Sequence, residues 1–149
     1  MDHIDQKILQ KLQEDSSIPQ RELADQIGLS QNACWRRIKA MKDSGVIIGE
    51  TVRLDPAKLG MGLTVFVMLK TRQHSVTWLQ DFRRRVLLIP NVVDFFRIAG
   101  EYDYMLKVVA SDISDFDRVY QKLIVDEALE SVTSLITMEA IANNRALPL

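Results

Sequence analysis

The residues best able to do chemistry lie in the stretch LSQNACWRRIKAMKDSG, where cationic and amide side chains have helical spacing. At about 100° per residue, Asn32, Arg36 and Lys39 fall on one face. Small Ala33 and Ala40 lie beside that face, so such a helix can approach another surface closely. A DNA major groove fits it, because the phosphates attract Arg and Lys while the base edges pair with Arg and Asn. The stretch therefore predicts a helix that reads DNA.

The expected roles along this helix differ with position. We expect Asn32, Ala33 and Arg36 to face base edges. A helix start favours anions, which makes its first residues and the flanking cations candidates for phosphate contacts. These candidates are Ser30, Gln31, Arg37 and Lys39. Trp35 and Arg37 flank the apolar face, so each could equally pack against the core, contact a phosphate or read a base. The alternative interpretation of the whole set is a charged helix face that is simply solvated.

A second cluster is the segment AGEYDY. Gly100 permits a tight turn, and the carboxylate of Asp103 can hold the α-amino group of a free amino acid. An ordinary hairpin turn is the alternative interpretation. Hydroxyl groups on the last predicted strand could line a pocket at a subunit boundary, although solvent-facing Thr is the simpler interpretation. The candidate effector-binding residues are Gly100, Tyr102, Asp103, Thr133, Ser134 and Thr137.

The chain offers little for catalysis. His3 and His74 are its only histidines, and both lie in polar surroundings expected at the surface. Cys34, the single cysteine, falls on an apolar helix face and excludes an intramolecular disulfide and a cysteine-built metal site. The acidic run SDISDFD is expected to begin a helix rather than bind a metal. We therefore expect that the protein is not an enzyme and has no cofactor or metal. A small ferredoxin-like enzyme is the less favoured alternative.

Composition limits the class of protein. The 149 residues include 19 Lys and Arg against 20 Asp and Glu, so the positive charge of the opening stretch is local. An apolar fraction of 47% suffices for a core. No apolar run reaches the roughly 20 residues that cross a bilayer, and the N-terminus is acidic where a signal peptide is basic. We expect a folded cytoplasmic protein, associated with the nucleoid if it binds DNA.

The elements that position these residues change in kind along the chain. Three helices are predicted first: one carrying Ile4, Ile8, Leu9 and Leu12, a second from about Pro19 to Ile27, and a third capped by Ser30. Gly28 suits a left-handed end to the second helix, and the turn before the third is so short that the pair predicts a helix-turn-helix.

From LTVFVMLKT onward the pattern becomes strand, helix, strand, strand, helix, strand, which is the ferredoxin-like βαββαβ arrangement. The predicted class is α+β, with a winged or plain helix-turn-helix domain and a connecting strand in residues 1–60 and the βαββαβ domain in residues 61–149. Both faces of LTVFVMLKT are apolar, yet two helices cover only one face. We therefore expect at least a homodimer, which would present two recognition helices to a pseudo-palindromic site on double-stranded DNA.

The N-terminal pattern IDQKILQKLQEDSSIPQRELADQIGLSQNACWRRIKAMKDSGVIIGETVRLDPAKLG, followed by AGEYDYMLKV, resembles the Lrp/AsnC family of feast/famine transcription regulators nearly end to end. The resemblance implies a DNA-binding domain and a βαββαβ module, called RAM, that dimerises, builds oligomers such as octamers and binds an amino-acid effector. CWRRIK and GLTVFVMLKT are most similar to a cysteine-responsive subgroup.

Pro19 departs from the family pattern, because the family commonly has a capping serine there. This departure puts the usual capping box with Glu22 in doubt. The alternative to a specific regulator is a nonspecific architectural DNA-binding protein that carries an amino-acid-binding domain.

Overall fold

The structure, a computed structural model, describes residues 1–125 and 128–149 and divides the chain into two units. The first comprises Met1–Arg53 and Ile141–Leu149, and the second Leu54–Ala140. The sequence predicts one boundary after residue 60, with every later residue in the second domain. The structure differs at both places, because the chain leaves the first unit at Arg53 and its final segment belongs to that unit again.

Hydrogen bonds to the first helix explain where the final segment belongs. The Gln10 amide donates to the Leu149 carbonyl at 2.6 Å. The Gln13 amide donates to the Leu147 carbonyl at 3.3 Å and accepts from the Leu147 N–H at 2.7 Å. Hydrogen bonds between these two glutamines and residues far away in the chain leave no periodic signal in the sequence.

The first unit contains the three predicted helices, α1 (His3–Glu14), α2 (Gln20–Ile27) and α3 (Gln31–Asp43). Apolar residues at helical spacing meet in one core, because each helix buries a single stripe. The core residues are Ile8, Leu9, Leu23, Ala24, Cys34 and Met41. The N-cap of α2 is Pro19, which makes no side-chain capping bond, as expected.

No strand is found in residues 44–62, so the predicted connecting strand is absent. The backbone bonds there form turns instead: the N–H groups of Leu59 and Met61 both donate to the Pro56 carbonyl. Large apolar side chains in this segment are exposed, Ile48 at 96% and Val52 at 75%.

The second unit is a four-stranded antiparallel sheet with two helices, in the predicted ferredoxin-like order. Its elements are β1 (Leu63–Thr71), α4 (Val76–Leu87), β2 (Val92–Arg97), β3 (Tyr104–Ala110), α5 (Ile113–Ile124) and β4 (Leu129–Ile136). The spatial order is β2-β3-β1-β4, which makes β2 and β4 the edge strands.

The two faces of this sheet have different surroundings. Val65, Val67 and Leu69 of β1 are 0% exposed and pack in the core with residues of both helices. Alternate residues point the other way, away from the helices. We call that side the open face; it carries Thr64, Phe66, Met68, Lys70, Asp94, Phe96, Met105, Lys107, Val109, Ser131, Thr133 and Leu135.

The open face is apolar at its centre. Met68 lies between Met105 and Thr133 in the register, and Phe66 lies beside Leu135. Phe96 and Leu135 are 50% and 53% exposed.

Within the described residues, no helix is long and apolar enough to span a bilayer.

Candidate functional site

The candidate recognition helix α3 is positioned by a tightly made turn. Gly28 adopts φ 78° and ψ 34°, a left-handed conformation that ends α2. The Leu29 N–H then donates to the Ala24 carbonyl at 2.9 Å, and the Ser30 hydroxyl accepts from the Ala33 N–H at 3.2 Å. Three residues thus reverse the chain and satisfy backbone groups of both helices.

The two faces of α3 are those predicted from the sequence. Cys34 and Met41 are buried in the three-helix core, whereas Asn32, Arg36 and Lys39 are exposed. Among the described residues, the guanidinium of Arg36 makes no hydrogen bond or ion pair. An exposed cation without a protein partner, beside the small side chains of the same helix, is free to reach a phosphate or a base edge.

Lys39 is held only loosely. Its ammonium is 4.0 Å from the carboxylate of Asp43 and 5.7 Å from the centre of the Trp35 ring. Exposed contacts of these kinds contribute little stability, so they leave the ammonium able to exchange partners.

Arg37 has a different environment from Arg36. Its Nη1 donates to Asp2 Oδ2 at 2.8 Å and to Asp5 Oδ1 at 2.7 Å. The hydrogen bonds that Arg37 donates to Asp5 and then to Asp2 raise the pKa of Arg37 above its ordinary value. The pKa of Asp2 is lowered, first by the backbone hydrogen bond from Asp5 and then by Arg37. Both carboxylates belong to the start of α1, so Arg37 ties α3 to α1 rather than pointing freely outward.

Trp35 borders a shallow hollow instead of packing on a following strand. The side chain is 51% exposed and faces a hollow of about 310 Å³ with Leu12, Ile18, Leu23 and Ile38 among its lining residues. Lys42 and Glu50, also at this hollow, form an ion pair of 2.7 Å. The exposed indole therefore remains available for contact with a partner.

The second candidate site is the turn between β2 and β3. Gly100 has φ 137°, and the Ile98 N–H donates to the Asp103 carbonyl at 2.9 Å across the turn. The carboxylate of Asp103 faces the end of β1, where Oδ2 accepts from the Thr71 N–H at 2.7 Å and from the Thr71 hydroxyl at 3.2 Å. Its Oδ1 makes no hydrogen bond to any described residue.

One hydroxyl of β4 lies close to this turn. The hydroxyls of Tyr102 and Thr133 are 3.5 Å apart, and Thr133 lies on the open face. These four residues, Gly100, Tyr102, Asp103 and Thr133, form what we call the turn site.

The structure does not bring the other two hydroxyls to the turn site. Ser134 pairs with Val67, whose side chain is in the helix-covered core, because successive strand residues point to opposite faces. The Thr137 hydroxyl donates to the Thr64 carbonyl at 2.9 Å. Thr64 is seven residues from Thr71 along β1, roughly 23 Å at strand spacing, so Thr137 lies at the opposite end of the sheet.

The groups considered for catalysis have structural explanations. Cys34 is 0% exposed, and burial raises the pKa of its thiol, which keeps it protonated. Asp112 caps α5, since its carboxylate accepts from the Asp115 N–H at 2.8 Å. No group of three or more His, Cys, Asp or Glu residues suited to a metal occurs in the described part of the chain.

A capped three-helix unit with an exposed cationic helix, joined to a ferredoxin-like unit, defines a two-domain DNA-binding regulator. Residues 1–48 match the winged helix-turn-helix DNA-binding family, and residues 64–147 match the Lrp/AsnC ligand binding domain. The chain belongs to the Lrp/AsnC family of transcription regulators and is not an enzyme.

Similar proteins cover the whole chain. A glutamate uptake regulatory protein of Zymomonas mobilis is 42% identical over 149 residues, which is 100% of this chain and 91% of that protein. The DNA-binding transcriptional activator DecR of Escherichia coli is 40% identical over 150 residues, 100% of this chain and 99% of that protein.

Solved structures agree with the fold. An AsnC family transcriptional regulator from Agrobacterium tumefaciens superposes with a TM-score of 0.94 at 42% identity, covering 99% of this chain and 97% of the other. A transcriptional regulator from Neisseria meningitidis in complex with L-methionine gives a TM-score of 0.92 at 28% identity, covering 99% and 96%.

Proposed function

We propose that this Lrp/AsnC regulator reads a specific, pseudo-palindromic operator with α3 and is controlled by a free amino acid. Asn32, Ala33 and Arg36 face base edges in this proposal. Ser30, Gln31 and Lys39 hold backbone phosphates, with Trp35 beside them at the edge of the groove. The observation that carries the proposal is the exposed guanidinium of Arg36, which has no partner in the described part of the chain, on a capped helix-turn-helix.

Arg37 has a positioning role in this proposal. Its ion pairs with Asp2 and Asp5 hold α3 against α1, which fixes the angle at which the recognition face is presented. These ion pairs argue against the phosphate contact that the sequence had suggested for it.

The amino acid binds at the turn site. Because Asp103 Oδ2 is already used by Thr71, the unbonded Oδ1 is the atom proposed to accept from an α-ammonium group. Tyr102 and Thr133 then offer hydroxyls from the open face. Ser134 and Thr137 are left out of this proposal, since they lie away from the turn.

Effector identity is proposed only as far as the class of amino acids. The names of the relatives refer to glutamate uptake, leucine and proline dehydrogenase, and two of the similar solved structures are complexes with L-methionine. These names do not support the narrower likeness to a cysteine-responsive subgroup. Glutamate, leucine, proline, methionine and cysteine therefore form the first panel to test.

The assembly is proposed to be at least a homodimer joined through the open face, whose apolar centre would otherwise remain in water. A dimer places two α3 helices on one DNA site. An effector acts on such an assembly only if it binds its states with different affinity.

The experiment is fluorescence anisotropy on DNA from upstream of the protein's own gene, with excess random competitor, repeated with each amino acid of the panel. A specific regulator prefers its site by about 10³-fold or more at physiological salt. Arg36→Ala is expected to weaken binding by about 1–3 kcal/mol. Lys7→Ala removes one charge from exposed α1 and is the control. Binding that the competitor abolishes, on this DNA and on selected sequences, would favour the architectural alternative.

The turn site has its own test by calorimetric titration with the effector that changes DNA binding. Asp103→Asn removes the charge but keeps an oxygen for Thr71, and Thr133→Val removes one hydroxyl without changing the shape of the side chain. Both are expected to weaken effector binding while operator affinity without effector is unchanged. Ser134→Ala is the matched control, and full binding by Asp103→Asn would refute this site.

A further inference from the structure

A second concave site lies on the helix-covered side of the sheet, beside the edge strand β2. It is a hollow of about 290 Å³ lined by Arg83 and Leu87 of α4, Phe95 and Arg97 of β2, and Tyr104 of β3. We call it the arginine hollow. Its size is near the lower limit of small-molecule pockets, which suits a compact ligand.

The two arginines of the arginine hollow have no counter-ion among the described residues. Arg83 and Arg97 come from different elements, and neither makes a hydrogen bond or ion pair with any residue in 1–125 or 128–149. By contrast, Arg84 on the same helix pairs with Asp81 at 3.4 Å. Two guanidinium groups that border one hollow without an acid between them form a site for an anion.

The hydroxyl of Tyr104, a largely buried residue, supplies a third polar group. The residue is only 2% exposed, yet its hydroxyl makes no hydrogen bond among the described residues. No polar side-chain atom of the described residues is both sealed from solvent and unbonded. The Tyr104 hydroxyl therefore keeps some contact with solvent, and Tyr104 is one of the residues that line the hollow.

The remaining lining residues are apolar. The ring of Phe95 lies 5.5 Å from the ring of Tyr104, which in turn lies 5.2 Å from the ring of Phe82 in the core. Leu87, the last residue of α4, also lines the hollow and is itself largely exposed. Such walls accommodate a short hydrocarbon stem between two charged ends.

We propose that the arginine hollow binds a small dianion: either a short dicarboxylate or inorganic phosphate. Each guanidinium fork matches one carboxylate, or both share the oxygens of a phosphate, and the Tyr104 hydroxyl donates a further hydrogen bond. The site is separate from the turn site, which uses a carboxylate to bind an ammonium group, and it stands whether or not the amino-acid proposal holds.

Occupation of the arginine hollow would act on the neighbouring turn. Arg97 and Tyr104 are register partners in the β2–β3 ladder and close it immediately before the turn that contains Gly100. An anion that holds both residues clamps the base of that turn. The site is thus placed to make the regulator sensitive to a metabolic anion as well as to an amino acid.

The test is calorimetric titration of the full chain with succinate, inorganic phosphate and, as the monoanion control, propionate, all at one ionic strength because salt screens exposed charge. One of the two dianions is expected to bind saturably and at least about tenfold more tightly than propionate. Comparing the affinities of succinate and phosphate identifies whether the ligand is a dicarboxylate or a phosphate.

Variants then locate the binding. Arg83→Gln and Arg97→Gln are each expected to lower the affinity for the dianion by about tenfold or more. Tyr104→Phe is expected to lower it by a smaller factor. Arg84→Gln removes the same charge from the same helix outside the hollow and is expected to change affinity less than about twofold. Circular dichroism checks that each variant is folded.

Two outcomes would overturn the proposal. One is the absence of saturable binding by both dianions up to about 10 mM. The other is equal weakening by Arg84→Gln and Arg83→Gln, which would reduce the effect to general attraction by a basic surface.

Discussion

Residues adjacent in sequence can have different environments in this protein, and Arg36 and Arg37 are the clearest example. Arg36 is exposed and unpaired among the described residues, whereas Arg37 bonds to two carboxylates of α1. A double-mutant cycle with Arg37→Ala and Asp5→Ala is expected to give a small but measurable favourable coupling free energy, because the Asp5 side chain is partly shielded from water. Urea unfolding measures it, and a coupling near zero would make Arg37 available for DNA after all.

A second prediction concerns acid stability. The pKa of Asp115 is lowered from 3.8, first by the backbone hydrogen bond from Ser111 and then by Arg118. A carboxylate whose folded-state pKa is lowered stabilises the fold above its ordinary pKa, and that stabilisation is lost as pH falls through the lowered value.

Asp115→Asn is therefore expected to lower the free energy of unfolding at pH 7 and pH 5, and to bring it closer to that of the unchanged protein near pH 3. Asp117→Asn, on the same helix and without a hydrogen bond to a described residue, is the control. Equal pH profiles for the two variants would show that the contacts of Asp115 do not contribute.

At the scale of elements, the α2–α3 turn depends on one backbone conformation. Gly28 has φ 78°, and a Cβ added there would meet nothing within 4 Å. Gly28→Ala therefore costs backbone strain without a clash, about 1–2 kcal/mol, and Gly28→Asn costs less because Asn tolerates the left-handed region. Thermal unfolding followed by circular dichroism measures both variants. An unchanged Ala variant would mean that the turn can adopt another conformation.

The elements were largely predictable from the sequence, and most of what could not be predicted depends on contacts between distant segments. Periodicity predicted the helices and strands, and Ser30 at the start of α3 was predicted from local chemistry alone. Because successive strand residues point to opposite faces, Thr133 and Ser134 cannot both line one site, and this difference is predictable from the sequence. Contacts between distant segments leave no such signal. The pairing of Arg37 with Asp5, the return of residues 141–149 to the first unit and the arginine hollow all required the folded chain.

At the scale of the whole molecule, assembly is expected to depend on the open face. Met68 lies at its centre, so Met68→Glu places a charge where the proposed dimer buries apolar surface. Light scattering at micromolar concentration is expected to give a monomer for this variant and at least a dimer for the unchanged chain. Ile113→Glu, at a 57% exposed position on α5, is the control. A dimer that survives Met68→Glu would place the interface elsewhere.

The division of the chain also sets an order of events on the ribosome. The first unit includes Ile141–Leu149, yet Leu54–Ala140 is synthesised before that segment. Domains commonly fold in the order in which they emerge. Here the N-terminal unit obtains the hydrogen bonds of Gln10 and Gln13 to Leu147 and Leu149 only after the whole sheet has been translated. A nascent chain arrested within the sheet would therefore carry an unfinished recognition unit.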